Sequence, residues 1–478
     1  MGAIILRHGV FGKNEVSYGM HSLHRFLVDY DMAMLRALAC NRGVALTTNR
    51  QTEAVDQLAA ALLEPLSVRT ALACLSPEGR GALDALLATE GRMRAPHFAR
   101  RFGQVRPVGP GRLLREAPWE HPANPAEELW YAALVFRAFS KDVGGPGEFM
   151  FVPVDLLPLL PEPRNQPSPF AVVTVPPPAH PDQDGPALVH DLFTYLVYLQ
   201  THDVRSYADG RLGRRDLTAL RKRMRVPDQQ RLALLRHLAG RLGFVVRRNE
   251  LLRLEAAPAR RWLDASLPRQ QEMLQGAWRD DPTWIDLCRV PGLICDEQTG
   301  WHQRYDPVAT RRALLSLLAR CPLDDWWSLE SFVQAVKETH PDFQRPDGDY
   351  EGWYIRDARS GEYLSGIESW DQVEGALIAD LLTRPLCWLG TVTTARVEAG
   401  PRLGRPLACR LTKVGARFLG LLPGEPDLPA SSPIVVQPDF RVQVPVPVNL
   451  YTRFQLERFA DLESTEPCRY ALTVGGLG

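Results

Sequence analysis

The clearest structural pattern in this 478-residue chain lies in residues 211–255, RLGRRDLTALRKRMRVPDQQRLALLRHLAGRLGFVVRRNELLRLE. Its leucines recur at three- and four-residue steps on both sides of Pro227, which predicts one helix over Leu217–Arg225 and a second over Gln230–Leu242. Apolar residues then alternate in two short runs, 244–246 and 251–254, around a polar Arg-Arg-Asn-Glu tip, which is typical of a β-hairpin. Two helices, a tight turn and a hairpin in this order predict a winged helix-turn-helix.

The same region carries a strong local excess of positive charge. Between Arg205 and Arg261 there are 16 lysines and arginines against five acidic residues. The guanidinium group of arginine stays protonated and donates paired hydrogen bonds to phosphate oxygens, so this cluster favours contacts with a nucleic-acid backbone. A solvated helix face, or a surface that docks an acidic protein, explains the same charges without nucleic acid. The predicted nucleic-acid-binding residues are Arg211, Arg214, Arg215, Arg221, Lys222, Arg223, Arg225, Arg247 and Arg248.

Outward from this region, the chain is predicted to be mainly α with small β-hairpins, arranged as tandem winged-helix-like units, and to end in a small α+β C-terminal unit. In the predicted acidic domain, residues 324–380 hold 14 acidic and four basic residues. This stretch should repel DNA; it could meet the basic region or another basic partner, or be a solvated surface. The chain is predicted to begin with a non-native leader over 1–20, with Met20 as an alternative initiator. An N-terminal helical or winged-helix-like domain over 21–157 and a Pro-rich connector over 158–188 follow. The predicted remainder is a basic winged-helix-like domain over 189–300, an acidic winged-helix-like domain over 301–425 and the C-terminal unit over 431–478.

Local patterns make further predictions. Helices are expected over Glu127–Phe139 and Leu450–Phe459, and strands over Glu148–Val154 and Leu386–Val397. Ser76 is expected to cap a helix that has proline at its first position. The prolines of residues 158–188 are expected to keep that segment extended and to disfavour paired strands.

The sequence contains none of the common catalytic motifs. There is no GxxxxGK[ST] loop, GxSxG elbow, HExxH helix or GxGxxG turn, so the motifs indicate neither a nucleotide-driven motor nor a hydrolase. The eight cysteines form no CxxC pair and are expected to be reduced thiols, mostly in the core. We predict no metal site and no cofactor, and no apolar run is long enough to span a bilayer.

The C-terminal segment carries the most specific pattern. In SSPIVVQPDFRVQVPVPVNLYTRFQLERFADLESTEPCRYALT, residues 431–473, the run Val435–Phe440 is followed by LERFADLES and by Tyr470-x-Leu472-Thr473. This segment resembles the unit shared by bacterial helicase-associated proteins and the N-terminal, non-motor region of XPB-type helicases. CRLTKVGARFLG ahead of it and LSPEGRGALDALLATEG near the N-terminus are similar to the same family. Because the family's unit continues beyond this strand, the resemblance predicts a chain truncated at its C-terminus.

The resemblance implies an accessory role without ATPase activity, because the motor domains are missing. The expected function is that of a non-catalytic, helicase-associated DNA-binding or scaffold protein of bacterial DNA repair or transcription, located in the cytoplasm. DNA bound through its backbone is the expected partner, together with a helicase or another protein, and no membrane partner is expected. The alternative is a protein–protein adaptor whose winged helices do not bind DNA. An unrecognised enzyme such as a nuclease is a third hypothesis.

Overall fold

A computed structural model of the chain describes residues 21–142, 145–162, 170–178, 187–207, 210–296, 300, 305–345, 348–396, 407–424, 433–444, 449–465 and 468–472. About 49% of the structure is helical and 15% is strand, in small antiparallel sheets. The prediction of a mainly helical chain with small hairpins is therefore confirmed. The predicted leader over 1–20 lies outside the described residues.

The chain divides into two compact units. The first comprises the described residues up to 162 together with Arg345 and Gly348, and the second comprises the other described residues. Leucines and alanines at helical spacing, among them Leu35, Leu58 and Leu83, fill the core of the first unit. Its elements are α1 (Leu23–Val28), α2 (Met32–Asn41), α3 (Gln51–Leu62), α4 (Pro65–Cys74), α5 (Pro77–Leu87), β1 (Arg92–Arg94), α6 (Ala95–Phe102), α7 (Pro110–Glu116), α8 (Pro125–Tyr131), β2 (Phe136–Asp142) and β3 (Gly145–Phe151).

The second unit is larger and contains the basic region. Tryptophans are prominent in its main core, where Trp262, Trp278, Trp327 and Trp370 are all at most 1% exposed. Its elements are β4 (Thr174–Val175), α9 (Ala187–Thr201), α10 (Arg214–Arg223), α11 (Gln229–Arg241), β5 (Val245–Arg248), β6 (Leu251–Leu254), α12 (Ala256–Asp264), α13 (Leu267–Arg279), β7 (Leu293–Cys295), α14 (Pro307–Leu318), β8 (Trp326–Ser328), α15 (Leu329–Thr339), β9 (Ile355–Asp357), α16 (Ala376–Thr383), α17 (Pro385–Trp388), β10 (Val392–Arg396), β11 (Leu407–Leu411), α18 (Lys413–Phe418), β12 (Val435–Val436), β13 (Arg441–Gln443), α19 (Leu450–Leu456), β14 (Ala460–Thr465) and β15 (Cys468–Leu472).

One winged-helix order recurs three times along the chain. In the first module, α5, β1, α6 and α8 precede the hairpin β2–β3, and the sheet order is β1-β3-β2. The middle module follows the same order with α9, α10, α11 and the hairpin β5–β6, and Arg205 bridges to Leu251 at the position of the first strand. The third module uses α14, β8, α15, α16 and β10–β11, with β11 between β10 and β8. In every module the last strand lies in the centre, as in a winged helix.

The Pro-rich stretch contributes a strand to the third module. Thr174 and Val175 of β4 pair antiparallel with Trp327 and Trp326 of β8, so the expectation that prolines keep this segment out of paired strands is wrong here. The two residues belong to the proline-free run 170–175, where the backbone amides can still donate. Residues 163–169 and 179–186 of the predicted connector lie outside the described part of the chain.

The C-terminal unit is a four-stranded antiparallel sheet in the order β12-β13-β15-β14, with α19 between β13 and β14. Val442, Leu456 and Tyr470 belong to its own small core. α19 also buries Leu450 and Phe454 in the main core of the second unit. This arrangement agrees with the predicted small α+β unit.

Three element predictions need correction. The helix expected over Glu127–Phe139 ends at Tyr131, because Ala133 takes a left-handed conformation (φ 52°) and the chain enters β2. The strand expected from Leu386 begins as α17, since Pro385 suits the first turn of a helix. The helix expected to run to Phe459 stops at Leu456, and the polar run ADLEST forms β14.

The cysteines also depart from expectation. Cys288 and Cys295 form a disulfide, so the prediction of reduced thiols is wrong for this pair. Cys40 and Cys74 are exposed, whereas Cys321, Cys387, Cys409 and Cys468 are buried. Of the described helices, none combines the length and the apolar character that a membrane-spanning helix requires.

Candidate nucleic-acid interface

In the middle module, α10 and α11 both pack on α9. Leu220 of α10 and Leu232 and Leu235 of α11 are buried in the main core. Asp228 caps α11 by accepting a hydrogen bond from the backbone N–H of Arg231 at 2.7 Å. Pro227 therefore stands just ahead of the second helix, where the sequence predicted the break.

A buried ion pair fixes the turn between the two helices. The Asp191 carboxylate on α9 accepts from Arg231 Nε at 3.0 Å and from the backbone N–H of Arg225 at 2.7 Å. Both side chains are fully buried, and burial raises the pKa of the Asp191 carboxyl although Arg231 and the Arg225 N–H oppose that rise. One carboxylate thus connects α9, the interhelical turn and α11.

All nine residues predicted to contact nucleic acid are exposed: Arg211, Arg214, Arg215, Arg221, Lys222, Arg223, Arg225, Arg247 and Arg248. Exposure leaves their charges in water, where a phosphate can approach them. They do not all share one surface, however. Helical geometry separates those on α10 into three directions, because successive residues turn by about 100°.

Three of the nine line one groove between α10 and α11, which we call the cationic groove. Arg214 and Arg221 lie seven residues apart on the same side of α10, and Arg211 precedes that helix. The groove has a volume of about 550 Å³, and none of the described residues that line it is acidic. Its lining residues are Tyr207, Arg211, Leu212, Arg214, Leu217, Arg221, Gln229, Leu232, Ala233 and Arg236.

The other predicted residues lie outside the groove lining. Arg215 and Lys222 lie about 100° around α10 from Arg214, and Arg223 covers the ring of Tyr198 at 5.1 Å from its centroid. Arg248 at the wing forms an ion pair of 2.5 Å with Glu255. Arg225 lies in the turn and Arg247 in the hairpin. The structure therefore concentrates part of the predicted cluster and distributes the rest around it.

Seven of the ten groove residues were not among the predicted ones, and Tyr207 and Arg236 are two of them. Tyr207 is 61% exposed at the start of the turn that leads into α10. Arg236 lies on α11, where it donates to the carbonyl of Gly210 and hydrogen-bonds the Tyr195 hydroxyl. The sequence could have indicated Arg236. It follows Gln229 by seven residues, which places both side chains on the outer stripe of the second helix.

The third helix differs among the three modules. α8 and α16 contain no lysine or arginine. The α8 residue Glu127 is buried and accepts from Arg106 in an ion pair of 2.6 Å, and Glu128 accepts from Ser76. α16 is apolar and largely buried. Only the middle module therefore combines arginines on its second helix with arginines on its third.

Within the described part of the chain, no group of three or more histidine, cysteine, aspartate or glutamate side chains is placed to hold a metal ion. No protein-family model matches the chain, and no curated protein matches its sequence. The resemblance to helicase-associated proteins therefore stays a prediction based on the residues of the C-terminal unit.

Proposed function

We propose that this protein binds DNA through its sugar–phosphate backbone, using the cationic groove of the middle module. In this proposal it acts without catalysing a reaction, as a helicase-associated binding or scaffold protein of the bacterial cytoplasm in DNA repair or transcription. The C-terminal unit, which carries the helicase-like pattern, docks a partner protein.

The observation that carries the proposal is the lining of the groove. Arg214 and Arg221 are exposed and form no ion pair with a described residue; Arg221 donates only a long hydrogen bond of 3.4 Å, to the carbonyl of Pro227. Uncompensated guanidinium groups on one wall, with Arg236 on the other, make a positive channel between two helices. Such a channel attracts phosphates and releases the counterions that surround DNA.

Binding should therefore be strongly salt-dependent and indifferent to base sequence. We expect a fluorescently labelled partial duplex with a single-stranded tail to bind the full chain at 50 mM salt and to dissociate progressively towards 200 mM. Each phosphate contact contributes about 0.7 (single strand) to 0.9 (duplex) to the slope of log K against log salt. The double variant R214A/R221A should therefore reduce the slope by about 1.4 to 1.8.

The first unit offers a matched control. Arg25 and Arg69 are exposed helical arginines without an ion-pair partner among the described residues, and Arg69 bonds only to a backbone carbonyl, as Arg221 does. R25A/R69A removes the same charge and should retain the wild-type slope. Equal losses in the two double variants, or no binding of the partial duplex at 50 mM salt, would contradict the proposal.

A protein–protein adaptor is the second candidate. It is favoured by the apolar surface on the C-terminal sheet, where Val436 is 60% and Phe440 68% exposed, and by the zero formal net charge of the chain. Replacing Arg221, Lys222, Arg223 and Arg225 by alanine separates the candidates. An adaptor keeps its protein partner in this variant and shows no change in DNA affinity, whereas the DNA-binding proposal requires that affinity to fall.

A further inference from the structure

One long side of α11 is covered by other parts of the second unit. Gln230 donates to the carbonyl of Arg289 at 3.2 Å and accepts from Arg384. His237 bonds to the carboxylate of Asp281, one turn before the end of the helix. The ring of Trp284 lies 4.8 Å from that of His237, so residues 281–289 run along the helix.

The residues packed along α11 limit how the middle module can approach a DNA duplex. The major groove of B-DNA is about 12 Å wide, and an α-helix with its side chains is about 10–12 Å across. Residues 281–289 and Arg384 add to the width of α11 on one side, which disfavours its entry into the major groove as a recognition helix.

The concave cationic groove lies on the side of α11 that faces α10. Its walls are charged, with Arg214 and Arg221 on α10 and Arg236 on α11, and its floor is apolar, with Leu217 and Leu232.

An aromatic ring stands at the edge of this channel. Tyr207 lines the groove and keeps 61% of its surface exposed. A positively charged groove with an exposed aromatic side chain is the combination that proteins use to hold a single strand, since cations follow the phosphates while a base stacks on the ring. Base pairs inside a duplex cannot offer a free face to Tyr207.

Resting on the proposed function, we infer that the cationic groove takes single-stranded DNA, with phosphates at Arg214 and Arg221 and one base stacked on Tyr207. The preference is independent of sequence, because every base has a face that can stack. The backbone contacts give affinity and the tyrosine distinguishes the single strand from the duplex.

The test measures the affinity of the full chain for labelled dT20 and for a labelled 20-base-pair duplex in the same low-salt buffer. We expect dT20 to bind at least about fivefold more tightly than the duplex, the lower limit for one stacked base. Y207A should weaken dT20 binding by about 5- to 150-fold, the range for loss of one stacked base, and should leave duplex binding unchanged. Y207F keeps the ring and should bind dT20 as the wild type does.

Tyr363 provides the control, since it is an exposed tyrosine (56%) of the same unit outside the groove, and Y363A should bind both DNAs normally. Equal or tighter binding of the duplex, or wild-type dT20 affinity in Y207A, overturns the single-strand inference while the proposed DNA binding stands. Failure of both DNAs to bind at low salt overturns the proposed function itself.

Discussion

Removal of the Asp191 carboxylate should destabilise the second unit far more than removal of an exposed carboxylate in the same module. Asp191 and Arg231 are both fully buried, so D191A leaves a guanidinium group in the core without its counter-charge. It also removes the acceptor of the Arg225 backbone N–H. Breaking a buried pair from one side costs about 3–5 kcal/mol, which is a large part of a stability of about 5–15 kcal/mol.

The assay is guanidinium chloride unfolding followed by tryptophan fluorescence, since Trp262 and Trp278 lie in the core of this unit. Asp203 supplies the matched control, because it pairs with Arg253 at 2.6 Å while the two side chains are 73% and 44% exposed. D203A should cost less than about 1 kcal/mol, as exposed ion pairs do.

A double variant separates loss of the pair from loss of packing. D191L/R231M removes both charges and keeps apolar volume, so it should recover most of the stability that D191A loses. If the unfolding free energy of D191A lies within about 1 kcal/mol of that of D203A, the charge pair does not anchor the turn between α10 and α11.

Three other predictions concern stability. A Cβ added at Gly415 would lie 2.0 Å from the backbone oxygen of Thr391, whereas one at Gly424 would meet nothing within 4 Å. The variant G415A should therefore lower stability by about 1–3 kcal/mol, and the control G424A should not change the melting temperature. The Cys288–Cys295 disulfide closes a short loop, so dithiothreitol should lower the unfolding free energy by about 2 kcal/mol in the wild type and have no effect in C288S/C295S. Burial raises the pKa of Asp380 to about 6, although Arg384 opposes the rise. Because the native state then holds this proton more tightly than the unfolded chain, stability should fall as the pH rises from about 4 to about 6. Urea unfolding across that range should show that D380N lacks this pH-dependent component of stability.

The helices and hairpins followed from local patterns. Ser76 caps α5, its hydroxyl accepting from Gly79 N–H at 2.9 Å with Pro77 at the first position, as the sequence predicts. The hairpin β5–β6 lies where two apolar runs flank a polar tip. Local patterns failed where tertiary pairing decided, because ADLEST has little strand character and becomes β14 through its pairing with β15.

The candidate site was predictable only in part. Composition and spacing identified Arg211, Arg214 and Arg221, because a dense run of arginines is visible in one dimension. The groove itself needs α10 and α11 together, so Tyr207 and Arg236 escaped a reading based on charge density. The cover on α11 depends on contacts between Gln230 and residues about 60 and 150 positions later, which local sequence patterns do not record.

The short strand β4 makes the third module dependent on residues far upstream of it. Its partner β8 lies about 150 positions later, and the whole middle module is inserted between the two. During synthesis, Thr174 and Val175 leave the ribosome long before Trp326 and Trp327, so this sheet is completed late. A fragment that starts at residue 187 would begin with the middle module yet leave the edge of β8 bare, open to pairing between molecules. Fragments of the second unit should therefore start at or before residue 170, so that they include β4.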